Sequence, residues 1–331
     1  MDSVIKLNDT EADAMLTLAS KVTAHPSGEP DTFCKQAQSL TDSIPSRLRI
    51  ALDNFARSGS STGFLLIQTG LNLASMLPPT PPNNLHHFGE ETKIARIQAI
   101  CVSAIAEMVA YEAEGHGRLF QDIVPTQSMA HLQTSMGSAE LEIHTEQAFS
   151  PLRPDYLSLA CLRGDPAAFT YVMPVGAMLS QLSDSEQAFL KTSQWTCDVD
   201  LSFKLYGTSF IPEGEVIDPL RWKTRGPIPI LSGAQDPQLV FDQDLMTGVN
   251  EEAEDLIKKL VAIYYEKRHA HVFRPGDIMI IDNNRAVHGR SGFSPRYDGH
   301  DRFLVRCFGV KDIGRVRSAM GPLRRIMARY S

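Results

Sequence analysis

Residues 274–288 read Arg-Pro-Gly-Asp-Ile-Met-Ile-Ile-Asp-Asn-Asn-Arg-Ala-Val-His. The opening residues are typical of a turn, and the apolar run from Ile278 to Asp282 predicts a buried strand. His288 lies on the loop just beyond the end of that strand, where a side chain can reach a bound ligand. The stretch therefore predicts a buried strand that leads directly to a candidate metal ligand.

Other short strand candidates surround this stretch and are separated by Gly, Pro and Asp turns. One helix, from Glu251 to Tyr265, interrupts them. Many short strands with such turns predict a barrel or a double-sheet jelly roll, with helices packed outside it. The strand candidates are Tyr156 to Cys161, Thr170 to Met173, Asp200 to Leu205, Ile278 to Asp282, and Phe303 to Gly309.

The first third of the chain has a different pattern. Apolar residues recur at three- and four-residue spacing in Glu11 to Val22, in Asp31 to Leu40 and, most strongly, in Ile94 to Tyr111, which predicts three helices. Gly63 to Gln68 predicts a strand between them. We expect these helices to pack against a sheet.

Length and composition suit an ordinary globular protein. A chain of 331 residues with 43% hydrophobic and 21% charged residues can bury a full core. We therefore expect a mixed α/β, mainly β, fold with a double-stranded β-helix (jelly-roll) core and flanking helices, in a single domain over 1–331. A mainly helical flank with early strands would occupy 1–115. The jelly-roll core would occupy 116–315, with a helical insert around 250–266.

The charge balance narrows the possible partners. The net charge is -7 and the isoelectric point is about 5.8. No Lys/Arg run is long enough to follow a phosphate backbone, so we expect neither nucleic acid nor a membrane as partner, but a small molecule. Five scattered cysteines without a CxxC pair predict reduced thiols and a cytoplasmic location. No signal peptide or membrane span is evident, and the oligomeric state is left open.

A second candidate site lies in the sequence Leu-Glu-Ile-His-Thr-Glu at 141–146. Its polarity alternates as at a strand end, so His144 and Glu146 point to the same side and can chelate one ion. Alone, the pair is a weak signal that fits an exposed strand better than a metal site. Together with His288 it provides two imidazoles and one carboxylate, the donor set of a mononuclear Fe(II) site that leaves positions open for substrate, cosubstrate and O₂.

Two other histidines, His269 and His271, also have ligand-like spacing. They lie next to Lys267 and Arg268, which favours a surface strand. We do not expect them to bind a metal.

Two arginines follow His288 in the last long strand candidate. Strand alternation places Arg302 and Arg306 on one face. An arginine fork pairs bidentately with a carboxylate. Two such forks inside a barrel therefore predict two carboxylates to be held.

The segments that carry these residues resemble the clavaminate synthase-like group of Fe(II)/2-oxoglutarate dioxygenases, in particular the free amino acid hydroxylases for asparagine and arginine. A glutamate ligand in place of the usual aspartate is a mark of this group, and weaker similarity extends from about residue 10 to Met320. The segments are His144 to Phe149, Arg153 to Asp165, Arg274 to Asn283, His288 to Arg290, and Phe293 to Arg302.

The resemblance implies roles for the metal and cosubstrate residues. His144, Glu146 and His288 would ligate Fe(II), and Glu146 would also lie near the ammonium group of the substrate. Arg302 would form a salt bridge with the distal carboxylate of 2-oxoglutarate, and Thr170 would share that carboxylate. The implied reaction consumes O₂ and 2-oxoglutarate, releases succinate and CO₂, and hydroxylates a β or γ carbon.

It also implies substrate contacts. Arg306 would hold the α-carboxylate of an amino acid, Glu114 would lie near its amine, and Ser135 would make a polar contact. Asp242 and Asp244 match an acidic position that grips the far cationic end of the substrate in the relatives that act on arginine and the clavaminate precursor.

These charges predict the substrate class. Two extra buried aspartates need a further cation, which a basic free amino acid supplies. We expect arginine first, because two carboxylates match a guanidinium fork, and lysine next. Ornithine, citrulline and asparagine remain open, as do desaturation or cyclisation on the same scaffold, a solvated loop for the two aspartates, and a jelly roll that binds metal without catalysis.

Overall fold

The computed structural model describes residues 3–71, 77–200, 203 and 224–328, so the strand predicted from Asp200 to Leu205 lies mostly outside the described residues. Its strands are β1 (Val4–Lys6), β2 (Phe64–Gln68), β3 (Glu107–Tyr111), β4 (Gln121–Ile123), β5 (Leu141–His144), β6 (Tyr156–Arg163), β7 (Phe169–Pro174), β8 (Trp195–Cys197), β9 (Arg225–Ile228), β10 (Leu231–Ser232), β11 (Gln238–Leu239), β12 (Met246–Gly248), β13 (His269–Val272), β14 (Asp277–Asp282), β15 (Ala286–Arg290), β16 (Phe303–Val310) and β17 (Ile326–Met327).

The α-helices are α1 (Asp9–Lys21), α2 (Pro30–Ser39), α3 (Ser46–Ser58), α4 (Lys93–Ser103), α5 (Val175–Leu179), α6 (Asp184–Phe189), α7 (Glu251–Lys267) and α8 (Ile313–Val316). Single 3₁₀ turns cover Thr41–Ser43, Phe88–Glu91, Gly115–Gly117, Gln127–Met129 and Arg317–Ala319. Within the described residues, no helix combines the length and the apolar character that crossing a bilayer requires.

Two sheets dominate this mixed α/β structure. The larger has the order β1-β2-β14-β6-β16-β3-β17, with β4 also paired to β16. The smaller has the order β13-β7-β15-β5. Pairing is antiparallel except for β1 with β2 and β17 with β3. Strands from the helical first third of the chain therefore belong to the larger sheet.

Alternating side chains give the larger sheet two apolar faces. One face packs against the smaller sheet in a shared buried cluster, which includes Leu157 and Met279 from the larger sheet and Val172 and Val287 from the smaller. The site described below lies between these two sheets.

The other face of the larger sheet is covered by the early helices. Ile280 of β14 and Cys307 of β16 share a second buried cluster with Met15, Leu52 and Ile97 of α1, α3 and α4. This packing explains the helical periodicity of the first third of the chain, because each helix buries one apolar stripe against the sheet.

Most predicted elements are confirmed, but His288 lies within strand β15 rather than on a loop, and one further prediction is wrong in part. The apolar run from Ile94 to Tyr111 is not a single helix, since α4 ends at Ser103 and β3 begins at Glu107. Val109 pairs with Phe308 of β16. The hydrogen bonds between β3 and β16 thus override the helical pattern of the residues that form β3. Helix α3 was not predicted.

All five cysteines are free and buried. Burial raises the pKa of Cys34, Cys101 and Cys161 to about 12. These thiols therefore stay protonated at neutral pH and pack as small apolar groups.

Candidate iron and substrate site

The strand pairing of the smaller sheet assembles the three candidate metal ligands. β15 places His288 directly opposite His144 of β5, and Glu146 follows two residues after His144. Oε1 of Glu146 lies 3.3 Å from Nε2 of His288 and 4.0 Å from Nε2 of His144. Ligand atoms at right angles around one ion lie about 3 Å apart for metal bonds of about 2.1 Å. The donor set and its spacing therefore fit a single iron ion bound on one face.

The surroundings hold His144 and Glu146 in the form that binds a metal. Nδ1 of His144 hydrogen-bonds the backbone oxygen of Glu142 at 2.8 Å, which leaves Nε2 free to bind. Burial alone would raise the pKa of Glu146, but the Arg306 guanidinium and the two imidazoles lower it to about 2. Glu146 is therefore ionised, as a metal ligand must be.

Asn283 fixes the backbone that carries Glu146. This fully buried side chain accepts a hydrogen bond from the Glu146 backbone nitrogen at 2.7 Å and donates to the Glu146 oxygen at 3.1 Å and to the Pro154 oxygen at 2.8 Å. Asn283 directly follows β14, so the end of this strand orients the loop that carries Glu146.

A second group of potential ligands, formed by His25, Glu90 and Glu91, does not make a comparable site. Both oxygens of the buried Glu90 are already hydrogen-bonded, one to Arg118 at 2.6 Å and the other to Ser27 at 2.6 Å. An ion would have to displace these partners. We assign this group a structural role.

A cavity of about 200 Å³ opens beside the metal ligands. All ten site residues predicted from the sequence line it, so the fold brings them to one place. They are His144, Glu146, His288, Thr170, Arg302, Arg306, Glu114, Ser135, Asp242 and Asp244.

One part of the cavity wall is positively charged. Arg302 is 5% exposed, burial lowers its pKa to about 10, and it forms no ion pair with any described residue. Arg290 is also buried there and donates to the backbone oxygens of Ser135 at 3.2 Å and Ala139 at 2.6 Å. Oγ1 of the buried Thr170 has no hydrogen-bond partner within the described ranges. The two arginines and this hydroxyl are suited to bind a carboxylate.

Arg306 anchors another part of the wall. It donates to Oε1 of Glu114, to Oε1 of Glu146 at 3.4 Å, and through Nε to Oε1 of Gln121 at 2.9 Å. Gln121 lies directly opposite Arg306 where β4 pairs with β16. Burial raises the pKa of Glu114 to about 7, although the Arg306 charge opposes this shift.

Asp242 and Asp244 both line the cavity, but the prediction that both are buried was wrong. Asp244 is exposed and Asp242 is half-buried. Oδ1 of Asp242 accepts hydrogen bonds from the backbone nitrogens of Asp244 at 3.0 Å and Leu245 at 2.9 Å. Asp242 thus stabilises a turn before β12, and the turn places Asp244 at its exposed tip.

Arg290 was not predicted to act at the site, and neither were three uncharged polar residues. They are Asn283, Gln121 and Gln147, each at least nine-tenths buried. The sequence contained a signal that could have identified them. Each is an uncharged polar residue that lies close to a ligand or within a strand otherwise suited to burial. Buried amides of this kind require partners, although the sequence does not say which.

The sequence over residues 86–308 matches the model for "Taurine catabolism dioxygenase TauD, TfdA family". The chain belongs to the TauD/TfdA family. This TauD/TfdA chain is 47% identical to the L-lysine 3-hydroxylase of Catenulispora acidiphila, over 100% of this chain and 90% of that protein. It is 31% identical to clavaminate synthase 2 of Streptomyces clavuligerus, over 89% of each. The resemblance to the clavaminate synthase-like group is thereby confirmed.

The chain is also similar to solved structures of proteins that contain bound iron and small molecules. An asparagine oxygenase holding Fe(II), 2S,3S-3-hydroxyasparagine and succinate superposes with a TM-score of 0.87 at 29% identity, covering 99% of both chains. The non-heme iron oxygenase OrfP, with Fe and alpha-ketoglutaric acid, gives 0.83 at 26% identity, covering 98% of this chain and 100% of that one. The TauD/TfdA chain is an Fe(II)- and 2-oxoglutarate-dependent dioxygenase of the amino acid hydroxylase type.

Proposed function

We propose that this enzyme hydroxylates free L-lysine at C3. The observation that carries the proposal is the 47% identity to an L-lysine 3-hydroxylase along the whole chain. Lysine thus replaces arginine as the first choice. The exposed position of Asp244 also removes the argument from two buried carboxylates that favoured a guanidinium fork.

The metal would be held by His144, Glu146 and His288, whose spacing suits one Fe(II). Bound Fe(II), with 2-oxoglutarate and O₂, supplies the oxidation that replaces a C–H bond by C–OH. The two sheets that enclose these ligands would form a double-stranded β-helix within one domain spanning 1–331. The chain itself contributes the shape and charge of the cavity around the reacting carbon.

The two ends of 2-oxoglutarate differ, and the cavity has one group of residues suited to its distal carboxylate. Arg302, which forms no ion pair in the described part of the chain, would pair with the distal carboxylate, and the Thr170 hydroxyl would donate to the same group. A buried cation gains most from such a partner because no water competes for it. This contact would orient the cosubstrate relative to the metal ligands.

The substrate would be held by its own charges. Arg306 would bind the α-carboxylate, Glu114 the α-ammonium group and Ser135 a further polar atom. Asp242 and Asp244 would attract the side-chain ammonium of lysine, a compact charge that needs no planar fork. Holding both ends of the molecule fixes which carbon faces the metal.

A panel of free amino acids tests this proposal. The enzyme is incubated with Fe(II), 2-oxoglutarate, O₂ and either lysine, arginine, ornithine, citrulline or asparagine. Succinate formation and the gain of one oxygen atom are measured by mass spectrometry, and the hydroxylated carbon is located by NMR. We expect 3-hydroxylysine as the main product. A main product from another amino acid, or at another carbon of lysine, would contradict the proposal.

A pair of histidine variants tests whether the described cluster is catalytic. His288→Ala should abolish succinate formation while leaving the circular dichroism spectrum unchanged. His269→Ala, at an exposed histidine of β13, should retain wild-type turnover. Retained activity in His288→Ala would remove this residue from the metal site, and inactivity of the wild type with all amino acids would favour a binding protein.

A further inference from the structure

Gln147 directly follows the candidate ligand Glu146 and has an uncommon backbone. Its φ is 54°, in the left-handed region that residues with a side chain rarely adopt. The residue is 7% exposed and lines the cavity. Such a conformation is typical of positions where the surrounding structure imposes it, often at functional sites.

The two ends of the Gln147 amide have different surroundings. Nε2 donates to Oε2 of Glu114 at 2.9 Å, while the other oxygen of Glu114 accepts from Arg306. Oε1 of Gln147 is buried and has no hydrogen-bond partner among the described residues. When Glu114 is ionised, as its ion pair with Arg306 favours, its carboxylate can only accept, and the amide is then oriented with its oxygen pointing away from it.

A buried amide oxygen without a donor is unfavourable, and most such atoms in proteins have a partner. The cavity beside Gln147 already has a carboxylate in Glu114 and a guanidinium in Arg306. These two groups complement the ammonium and the carboxylate of an α-amino acid. The ammonium group carries three N–H donors, more than Glu114 alone can accept.

We propose that Gln147 is a specificity-determining residue whose Oε1 accepts a hydrogen bond from the α-ammonium group of the substrate, while its Nε2 holds Glu114 in place. This inference rests on the proposed function only in requiring a free α-amino acid as substrate. Selection for an unmodified α-amine would then depend on Gln147 as well as on Glu114.

A substrate without the α-amine provides the direct test. Dissociation constants for lysine and for 6-aminohexanoic acid are measured by calorimetry without O₂, on enzyme loaded with Fe(II) and 2-oxoglutarate. Gln147→Met, of similar length but unable to hydrogen-bond, should weaken lysine binding about tenfold. It should change 6-aminohexanoic acid binding by less than about twofold. Equal changes for both ligands, or no change, would overturn the proposal.

Gln98→Met is the matched control. Gln98 is also fully buried with an unpartnered Oε1, but it donates to Ser158 and Val305 outside the cavity lining. We expect the ratio of the two dissociation constants to stay at its wild-type value in this variant. If Gln147→Met does not fold, Gln147→Asn tests the same contact, because asparagine tolerates a left-handed backbone.

A double-mutant cycle separates a direct contact from an effect through Glu114. In a Glu114→Gln background, Gln147→Met should still weaken lysine binding further. No further loss would mean that Gln147 acts only by holding Glu114, and the direct contact would be wrong. If the wild type uses another amino acid, the same measurements are made with that amino acid and its counterpart without the α-amine, in place of lysine and 6-aminohexanoic acid. The proposal for Gln147 and the proposal of lysine as substrate can therefore fail separately.

Discussion

At the scale of single residues, Asp122 shows how burial shifts an ionisable group outside the catalytic cavity. This β4 residue is 1% exposed, and its Oδ1 accepts from the backbone nitrogen of Gly89 at 2.9 Å. Burial raises its pKa from 3.8 to about 7, although hydrogen bonds from the backbone of Gly89 and Phe88 oppose the shift.

This shift predicts a pH-dependent stability. Between pH 3.8 and about 7 the native state retains a proton that the unfolded state has lost, so the contribution of Asp122 to stability falls as pH rises. Asp122→Asn keeps the acceptor for Gly89 but does not titrate. The melting temperature of the variant relative to wild type should therefore increase with pH across this range. A difference that stays constant would show that Asp122 has an ordinary pKa.

The sequence was enough to predict which residues near a recognisable motif lie at the site, but not how exposed each of them is. The spacing of His144, Glu146 and His288 and the alternation of the two arginines, together with the family resemblance, placed these side chains around one cavity. Asp244 was placed there correctly but with the wrong burial, because its exposure depends on how the turn at Asp242 folds. The individual roles stay predictions until the variants are measured.

At the scale of secondary structure elements, the turn after β14 connects the inner strand to the metal site. Asn283 in this turn makes three hydrogen bonds to the backbone around Glu146 and Pro154. Its side chain therefore sets the position of Glu146 by bonding the backbone of that residue, without contacting its carboxylate.

We expect Asn283→Ala to destabilise the fold and to weaken iron binding more than Asn284→Ala does. The buried groups left without partners cost about 1 to 3 kcal/mol each, and the loop with Glu146 loses its fixed position. Iron affinity is measured by anaerobic titration, and stability by urea unfolding. Asn284→Ala is the control, since Asn284 is also buried but bonds Asp155 and Arg153 rather than Glu146. Equal iron affinity in both variants would contradict this role.

Helices and strands with one clear apolar period could be predicted from the sequence. A segment whose residues suit both a helix and a strand could not. The strand at 278–282 and the helix at 251–265 follow from apolar patterns that match one period each. The run from Ile94 to Tyr111 satisfies a helical period, yet its last residues form β3 because β16 offers a partner strand. That competition is decided by residues about 200 positions away in the chain, so local sequence cannot resolve it.

At the scale of the whole molecule, the fold buries positive charge that stability alone would disfavour. The molecule has a net charge of -7, yet Arg302 and Arg290 are buried together beside the cavity. Neither forms an ion pair with a described residue, although the charge of Asp165 partly opposes the effect of burial on the pKa of Arg302. Such an arrangement is unfavourable until an anion binds.

Replacing Arg302 should therefore stabilise the ligand-free enzyme. Arg302→Met removes a desolvated charge and keeps similar volume, so we expect a gain of about 1 to 4 kcal/mol in the free energy of unfolding. The variant should also lose the rise in melting temperature that 2-oxoglutarate gives the wild type. Arg296→Met, at an exposed arginine, should change neither quantity. A less stable Arg302→Met with an intact response to 2-oxoglutarate would contradict both expectations.

The order of the strands could not be predicted from patterns along the chain. β14 lies between β2 and β6, so Asp277 faces Gln68 across more than two hundred residues. Apolar alternation shows that a strand is buried, but it does not identify its neighbour. The prediction of a two-sheet architecture therefore came from counting strands and turns and from family resemblance.

The burial of all five thiols has a practical consequence for the use of this protein as a catalyst or sensor. Maleimides and other thiol-directed reagents reach only solvent-accessible cysteines, so the native fold offers them no reactive position. One cysteine introduced at an exposed site, such as Ser185 on α6, would be the sole point of attachment. A fluorophore or a solid support could then be coupled at a defined place without first removing any natural cysteine.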